Sequence, residues 1–512
     1  MIYRAPAAPR IALLVDNPYR DLPGLVLAAW RLCQDGATCY LVPMNLRDRE
    51  VWPLAPDFAL LNHFRTIYES LVQNMMVAGI LVGVLDTEGS VFSPMPTAAN
   101  ALLSHFNQDE KESVPAMHQH ALSMVDDAGL RHKIAVYCAW TPAFAKYASQ
   151  AGWYRSEQIA VTGTPRMDFY APQWHEAVRR MSSFIDTYAE PIILINSSFA
   201  LANPRFQSPE KEMEMMVNTF SYDRDFMEKW HNTQDQAMKG LASLTNRLAE
   251  RFPGATFIYR PHPFEGKEAY KELLEPLPNL HLVKRGTVDG WLLRARALIH
   301  LGSTTAIDAC LAGVPAFTAG WLPVHLPVPA VDDVSIKCST EDDLVECIAE
   351  VLGGTFQPPS EITRNIDQVV GKTFYRIDGL AHQRVADATL NALNATEPNL
   401  SIDKCRDFAY GLNRSGSSLK SIVAARLRET LGLPASWSFR RWANLTEDLS
   451  WWDRSDKYFD ADQIRTLVTA IQACAQEGSK EPLRKVGVQS AQERGDYRFG
   501  YLQGRSVTVF PE

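Results

Sequence analysis

Short, nearly continuous apolar runs alternate with amphipathic stretches along the first 170 residues. RIALLVD (10–16), TCYLVP (38–43), DFALLN (57–62), AGILVGVLDTEG (78–89), HKIAVYCAW (132–140) and QIAVTGTPRMDFY (158–170) read as strands. Helical stretches separate them, among them GLVLAAWRLCQDG and a segment beginning at Thr141. Strands that are apolar on both faces and spaced by helices predict a parallel sheet covered on both sides. After a break near 171–190 the pattern restarts with EPIILINSSF (190–199), ATFIYRPHP (255–263), NLHLVKRG (279–286), ALIHLGS (297–303) and GVPAFTAG (313–320). A polar helical stretch fills 208–252, with further helices predicted at 340–353 and roughly 376–394. The expected class is α/β, with two Rossmann-like domains facing a cleft and a mostly helical C-terminal extension. The expected divisions are 1–185, 186–355, helices packing back on the body at 356–395, and an extension of undefined role at 396–512. That extension carries the aromatic clusters WSFRRW and SWWDR.

At 512 residues the chain exceeds a single ordinary core, which supports the two-domain reading. Its net charge of −8 is uneven: 401–512 holds 17 Lys and Arg against 14 Asp and Glu, so the first 400 residues carry −11. An acidic body argues against a nucleic-acid binder. The basic, Trp-containing tail leaves open a peripheral contact with an anionic membrane surface. Eight cysteines without a CxxC spacing read as reduced thiols. The N-terminal MIYRAPAAPR has no signal-peptide run, and MMVAGILVGVL is too short to span a bilayer. The expected location is the cytoplasm, with peripheral association at the inner membrane as the extension of that reading.

Ligands of open α/β sheets bind beyond the carboxyl ends of strands. In the second half those ends are Asn196-Ser197-Ser198, Arg260-Pro261-His262-Pro263, Lys284-Arg285-Gly286 and Gly302-Ser303-Thr304-Thr305. In HLGSTTAIDACLAGVP (300–315), Gly302 permits a tight turn, and Ser303 and Thr304 are N-cap types. Thr305 and Asp308 have capping-box spacing, and Gly313 and Pro315 end the helix. Such a helix start suits a phosphate, or is simply a capped helix without ligand. Pro261 and Pro263 hold His262 stiffly, either to bind and protonate a departing phosphate or as a core histidine between turn prolines. In GVLDTEGS (83–90) the strand runs into Asp86 and Glu88, a pair suited to act as base or nucleophile, or else to cap a helix or form a structural salt bridge. GTPRMDF (163–169), VGKT (370–373) and DRD (223–225) are weaker candidates; no HExxH is present and no metal site is indicated.

The D-x-E-G strand end, the RPHP strand end and the later GSTT…D…GVP helix resemble GT-B glycosyltransferases. They are most similar to bacterial surface-carbohydrate enzymes that use CMP-activated sugar acids, the sialyl- and Kdo-transferases. The likeness covers roughly residues 80–380. It implies a GT-B fold, a metal-independent transferase without organic cofactor, and a nucleotide sugar and a glycan or lipid-linked glycan acceptor as partners. It implies that Asp86 or Glu88 is the catalytic carboxylate, that His262 with Pro263 binds CMP, and that Ser303 and Thr304 hold its phosphate. Asn196, Ser197, Arg260, Lys284, Arg285, Gly302, Thr305 and Asp308 complete the expected nucleotide site. The acidic motif departs from the family in having Thr87 between its carboxylates. His-Pro and Ser/Thr motifs also occur in CDP-glycerol transferases and UDP-GlcNAc 2-epimerase-like enzymes. A CDP-polyol phosphotransferase, an epimerase and a non-catalytic scaffold of a polysaccharide assembly complex therefore stay open as alternatives.

Overall fold

The computed structural model describes residues 8–65, 68–87, 128–220, 222–324, 328–396, 399–410, 457–494 and 505–512. They fall into two compact units. One holds the described residues before 90, those of 124–177 and those from 375 onward; the other holds 178–374. Each unit is built on a sheet, so the α/β class with two Rossmann-like units stands as the strand pattern predicted.

In the first unit the strands are β1 (Arg10–Val15), β2 (Thr38–Pro43), β3 (Phe58–Leu61), β4 (Leu81–Leu85), β5 (Val136–Ala139) and β6 (Ile159–Val161). They run parallel in the order β2-β1-β3-β4-β5-β6. Nearly every side chain of β1 to β5 is buried, as strands covered on both faces require. Thr141 starts the helix Pro142–Gln150, its hydroxyl accepting from the Phe144 N–H at 3.1 Å.

The C-terminal extension joins this sheet. Strand β14 (Val507–Pro511) pairs antiparallel with β2, and β13 (Val486–Ser490) pairs antiparallel with β14. Val507 and Val509 are fully buried, which contributes about 1.5–3 kcal/mol per side chain. Helices Ile402–Tyr410 and Ala461–Gly478 accompany the strands. The WSFRRW and SWWDR clusters lie outside the described residues.

In the second unit the strands are β7 (Ile192–Asn196), β8 (Thr256–Arg260), β9 (Leu280–Leu282), β10 (Ala295–His300), β11 (Ala316–Ala319) and β12 (Ile336–Cys338). All are parallel, in the order β12-β11-β10-β7-β8-β9. This is the doubly wound 3-2-1-4-5-6 arrangement, and the strand order reverses between β7 and β10. Two weaker motifs become structural here. Asp223 of DRD caps the helix Arg224–Arg251, accepting from the Phe226 N–H at 2.8 Å. VGKT lies inside the helix Ser360–Thr373, so it forms no phosphate loop.

Candidate functional site

Strands β10, β7 and β8 end in one row: His300 pairs with Asn196, and Asn196 with Arg260. The row lies at the switch point, the place where ligands of open α/β sheets bind. Gly302 follows β10 with φ of 63°, a left-handed turn that glycine makes without strain. It delivers Ser303, Thr304 and Thr305 to the start of the helix Thr305–Leu311. The Asn196 Nδ2 donates to Thr305 Oγ1 at 3.1 Å, and the Thr305 and Ser303 hydroxyls are 2.8 Å apart. Either hydroxyl can be the donor in that contact; in the arrangement where Thr305 donates, the Ser303 hydrogen is available to another acceptor. Asn196 is buried, and its Oδ1 has no hydrogen-bond donor among the described residues. This end of the chain of hydroxyls and amide suits a ligand that brings both an oxyanion and an N–H or O–H.

The capping box expected at Thr305 and Asp308 does not form. The N-cap is Thr304, already helical at φ −61° and ψ −13°, with no side-chain capping bond. From that conformation its hydroxyl does not cap the first turn, and the Thr305 hydroxyl is engaged by Asn196 and Ser303. Asp308 sits buried one turn into the helix.

His300, which the sequence reading passed over, supports this turn from beneath. Its Nδ1 accepts from the Ser303 N–H at 3.3 Å, so the ring proton sits on Nε2 and donates to Ser335 Oγ at 3.0 Å. Ser335 in turn donates to the Val331 carbonyl at 2.5 Å. Burial lowers the His300 pKa from its ordinary 6.5 to about 4. The folded state therefore keeps the ring neutral while the unfolded chain takes up a proton below pH 6.5. This contribution to stability is complete above pH 6.5 and is lost as pH falls through 4, by about 3 kcal/mol in all. Urea titrations at pH 7 and pH 4.5 should show a smaller stability loss in His300→Gln than in the natural chain; equal losses would remove His300 from this role.

The segment after β8 is organised around a residue the sequence reading did not single out, Glu265. Its buried carboxylate accepts from the His262 N–H at 3.0 Å, the Phe199 N–H at 3.0 Å, Ser197 Oγ at 2.9 Å and the Tyr270 hydroxyl. Burial raises its pKa, against these bonds. The Glu265 N–H returns a bond to the His262 carbonyl at 2.9 Å. The legible signal was spacing: His262 and Glu265 stand three apart, as in a capping box. The Phe264 N–H donates to His262 Nδ1 at 3.2 Å, which places the proton of the neutral ring on Nε2.

Arg260 and Lys284 brace neighbouring loops reciprocally. Arg260 Nη2, from β8, donates to the Gly286 carbonyl beyond β9. Lys284, from beyond β9, donates to the Pro263 carbonyl at 3.1 Å and the Glu265 carbonyl at 2.5 Å. Arg285 is exposed and lies over the Phe184 ring at 4.3 Å. Gly286, at φ 81°, packs so closely that a Cβ there would meet Phe184 Cζ at 2.6 Å. Of the residues named from sequence, the structure thus joins Asn196, Ser303 and Thr305 in one hydrogen-bonded chain. Ser197 and His262 meet on Glu265, and Arg260, Pro263 and Lys284 belong to the brace.

Asp86 belongs to the other unit, at the end of β4. Its carboxylate lies 3.5 Å from the Tyr137 hydroxyl, and its carbonyl accepts from Trp140 Nε1 at 2.5 Å. Burial first, and then the Asp86 charge, hold the Tyr137 pKa well above its usual value. Thr87 is buried, its hydroxyl accepting from Arg20 Nη2 at 3.1 Å. Glu88 lies outside the described residues. Among the described residues, no cluster of His, Cys, Asp or Glu is placed to hold a metal ion. No described helix is long and apolar enough to cross a membrane.

No protein-family model matches the chain, and no curated protein matches it in sequence. Solved structures that align with it include two UDP-GlcNAc 2-epimerases. The one from Methanocaldococcus jannaschii is 11% identical, covering 74% of this chain and 99% of that one, with a TM-score of 0.43. The one from Neisseria meningitidis, bound to UDP-GlcNAc, is 12% identical over 75% of this chain and 100% of that one, with a TM-score of 0.42. The wall teichoic acid polymerase TagF aligns at 10% identity over 76% of this chain and 90% of that one, with a TM-score of 0.44.

Proposed function

We propose that the protein is a GT-B glycosyltransferase of bacterial surface-polysaccharide biosynthesis, moving a Kdo- or sialic-acid-like sugar from a CMP-activated donor to a glycan acceptor. The observation that carries the nucleotide part is the Asn196–Thr305–Ser303 chain at the switch point of the 3-2-1-4-5-6 sheet, with an acceptor on Asn196 Oδ1 that no described residue matches. In this reading Ser303 and Thr304 hold the phosphate. His262 donates from Nε2 to the departing CMP, and Arg260 and Arg285 lend positive charge. Stabilisation of that leaving group is the largest catalytic contribution. The acceptor hydroxyl is activated, or the sugar captured, by Asp86 or Glu88. The CMP-sugar assignment rests on the motif resemblance, and the reaction takes no metal ion or organic cofactor.

Calorimetric titration of the full chain with CMP, CDP, UDP and GDP tests the reading. The expected result is selective CMP binding, weakened about tenfold or more in His262→Ala through loss of one charge-assisted hydrogen bond. Preference for CDP would favour a polyol-phosphate transferase, and preference for UDP an epimerase or hexose transferase. Binding of none would leave the scaffold reading.

A further inference from the structure

We infer that Glu265 is a positioning residue: by the length of its side chain it fixes the backbone and ring of His262 relative to the loop that follows β7. The inference rests on the proposed role of His262 in holding nucleotide, but its structural part stands apart from that role.

Four donors from three places converge on this one carboxylate. Ser197 and Phe199 belong to the loop beyond β7, His262 to the loop beyond β8, and Tyr270 to the helix Glu268–Leu273. Asn196, adjacent to Ser197, carries the chain to Thr305 and Ser303. The carboxylate therefore sets the spacing between the hydroxyl chain at the switch point and the imidazole one strand away. The main chain closes the arrangement. Glu265 N–H bonds the His262 carbonyl, and the Glu265 carbonyl accepts from Lys284. The turn so formed brings the Phe264 N–H to His262 Nδ1, which selects the ring tautomer. Asn203 ties down the far end of the segment, its Nδ2 donating to the Gly266 carbonyl at 2.9 Å. Glu265 is fully buried, so it acts through His262 and does not itself touch a ligand.

A merely structural carboxylate and a positioning one respond differently to changes of charge and of length. Glu265→Gln keeps the length and one acceptor oxygen for the two N–H donors. Its amide can donate to the Ser197 and Tyr270 hydroxyls, which accept as well as donate. Glu265→Asp keeps the charge but is one methylene shorter and cannot span both loops. The readout is the imidazole nitrogen spectrum of 15N-histidine-labelled full chain, with the His262 signals identified by their absence in His262→Ala. In the natural chain and in Glu265→Gln, His262 should show the Nε2–H tautomer. In Glu265→Asp it should show a mixture of tautomers. Affinity for the tightest of CMP, CDP and UDP should follow: within about threefold for Gln, and weaker by roughly 10- to 100-fold for Asp, the equivalent of one charge-assisted hydrogen bond.

His262 signals unchanged in both variants, or disturbed by Gln and not by Asp, would overturn the inference. If the tautomer shifts as expected but no nucleotide binds the natural chain, Glu265 positions His262 and the transferase reading is what fails.

Discussion

Asp168→Ala should destabilise the first unit by about 3–5 kcal/mol, the cost of removing one partner from a buried polar cluster. Asp168 is 1% exposed and accepts three bonds: from the Ala381 N–H at 2.9 Å, the His382 N–H at 2.8 Å and His382 Nδ1 at 2.8 Å. It therefore caps the helix Ala381–Asn394 from a residue 213 positions earlier in the chain. Trp174 packs edge-on against the His382 ring at 5.4 Å and against Trp30 at 6.3 Å. Trp174 also donates to the Gly379 carbonyl at 2.9 Å. Alanine would leave two N–H groups and an imidazole nitrogen without their acceptor, inside an aromatic box that admits little water. The thermal midpoint of that unit should fall by on the order of 10 °C. Asp168→Asn, which keeps one acceptor oxygen, should fall between. Nucleotide binding, assigned to the other unit, should be unchanged in the folded variant. A small stability loss with a large loss of binding would place Asp168 in a ligand site, the other role its position after β6 allowed.

This contrast shows what sequence pattern resolves. Strands such as IILIN and TFIYR were legible because apolar side chains on both faces leave few readings other than a covered parallel strand. The polar residues that follow them were legible as a group, since the fold rule points to those ends. Their partners were not. Arg260 and Lys284 both looked like phosphate cations, and only the register of β8 beside β9 reveals that each donates to the other's loop. Glu265 was hidden by its type: an acidic residue between Phe264 and Gly266 looks like a solvated turn, and its burial depends on donors nearly 70 residues upstream. Val507–Pro511 gave no local sign of its place, because its partner strand, β2, lies more than 450 residues earlier. The capping-box spacing at Thr305 misled for a related reason: Asn196, from another strand, competes for that hydroxyl.

The second large effect concerns the hydroxyl chain itself. Ser303→Ala removes the hydroxyl at one end of the chain, and Thr305→Val removes the link between Asn196 and Ser303 while keeping side-chain shape. Each should weaken nucleotide binding by roughly 10- to 100-fold, about 1.5–3 kcal/mol for a hydrogen bond to a charged phosphate. Because Thr305 and Ser303 act through one chain, the double variant should lose less than the sum of the two. Ser303→Ala should affect folding little, whereas Thr305→Val also leaves the buried Asn196 amide without its acceptor and should cost about 1–3 kcal/mol of stability, so affinities are compared on folded protein. The measurement to make is a double-mutant cycle of CMP affinity by calorimetry on the natural chain, Ser303→Ala, Thr305→Val and the double variant. Tight binding in the natural chain, a large loss in each single variant and a sub-additive double variant is the expected result. Binding that survives both substitutions would contradict the placement of the nucleotide at the switch point of the second sheet.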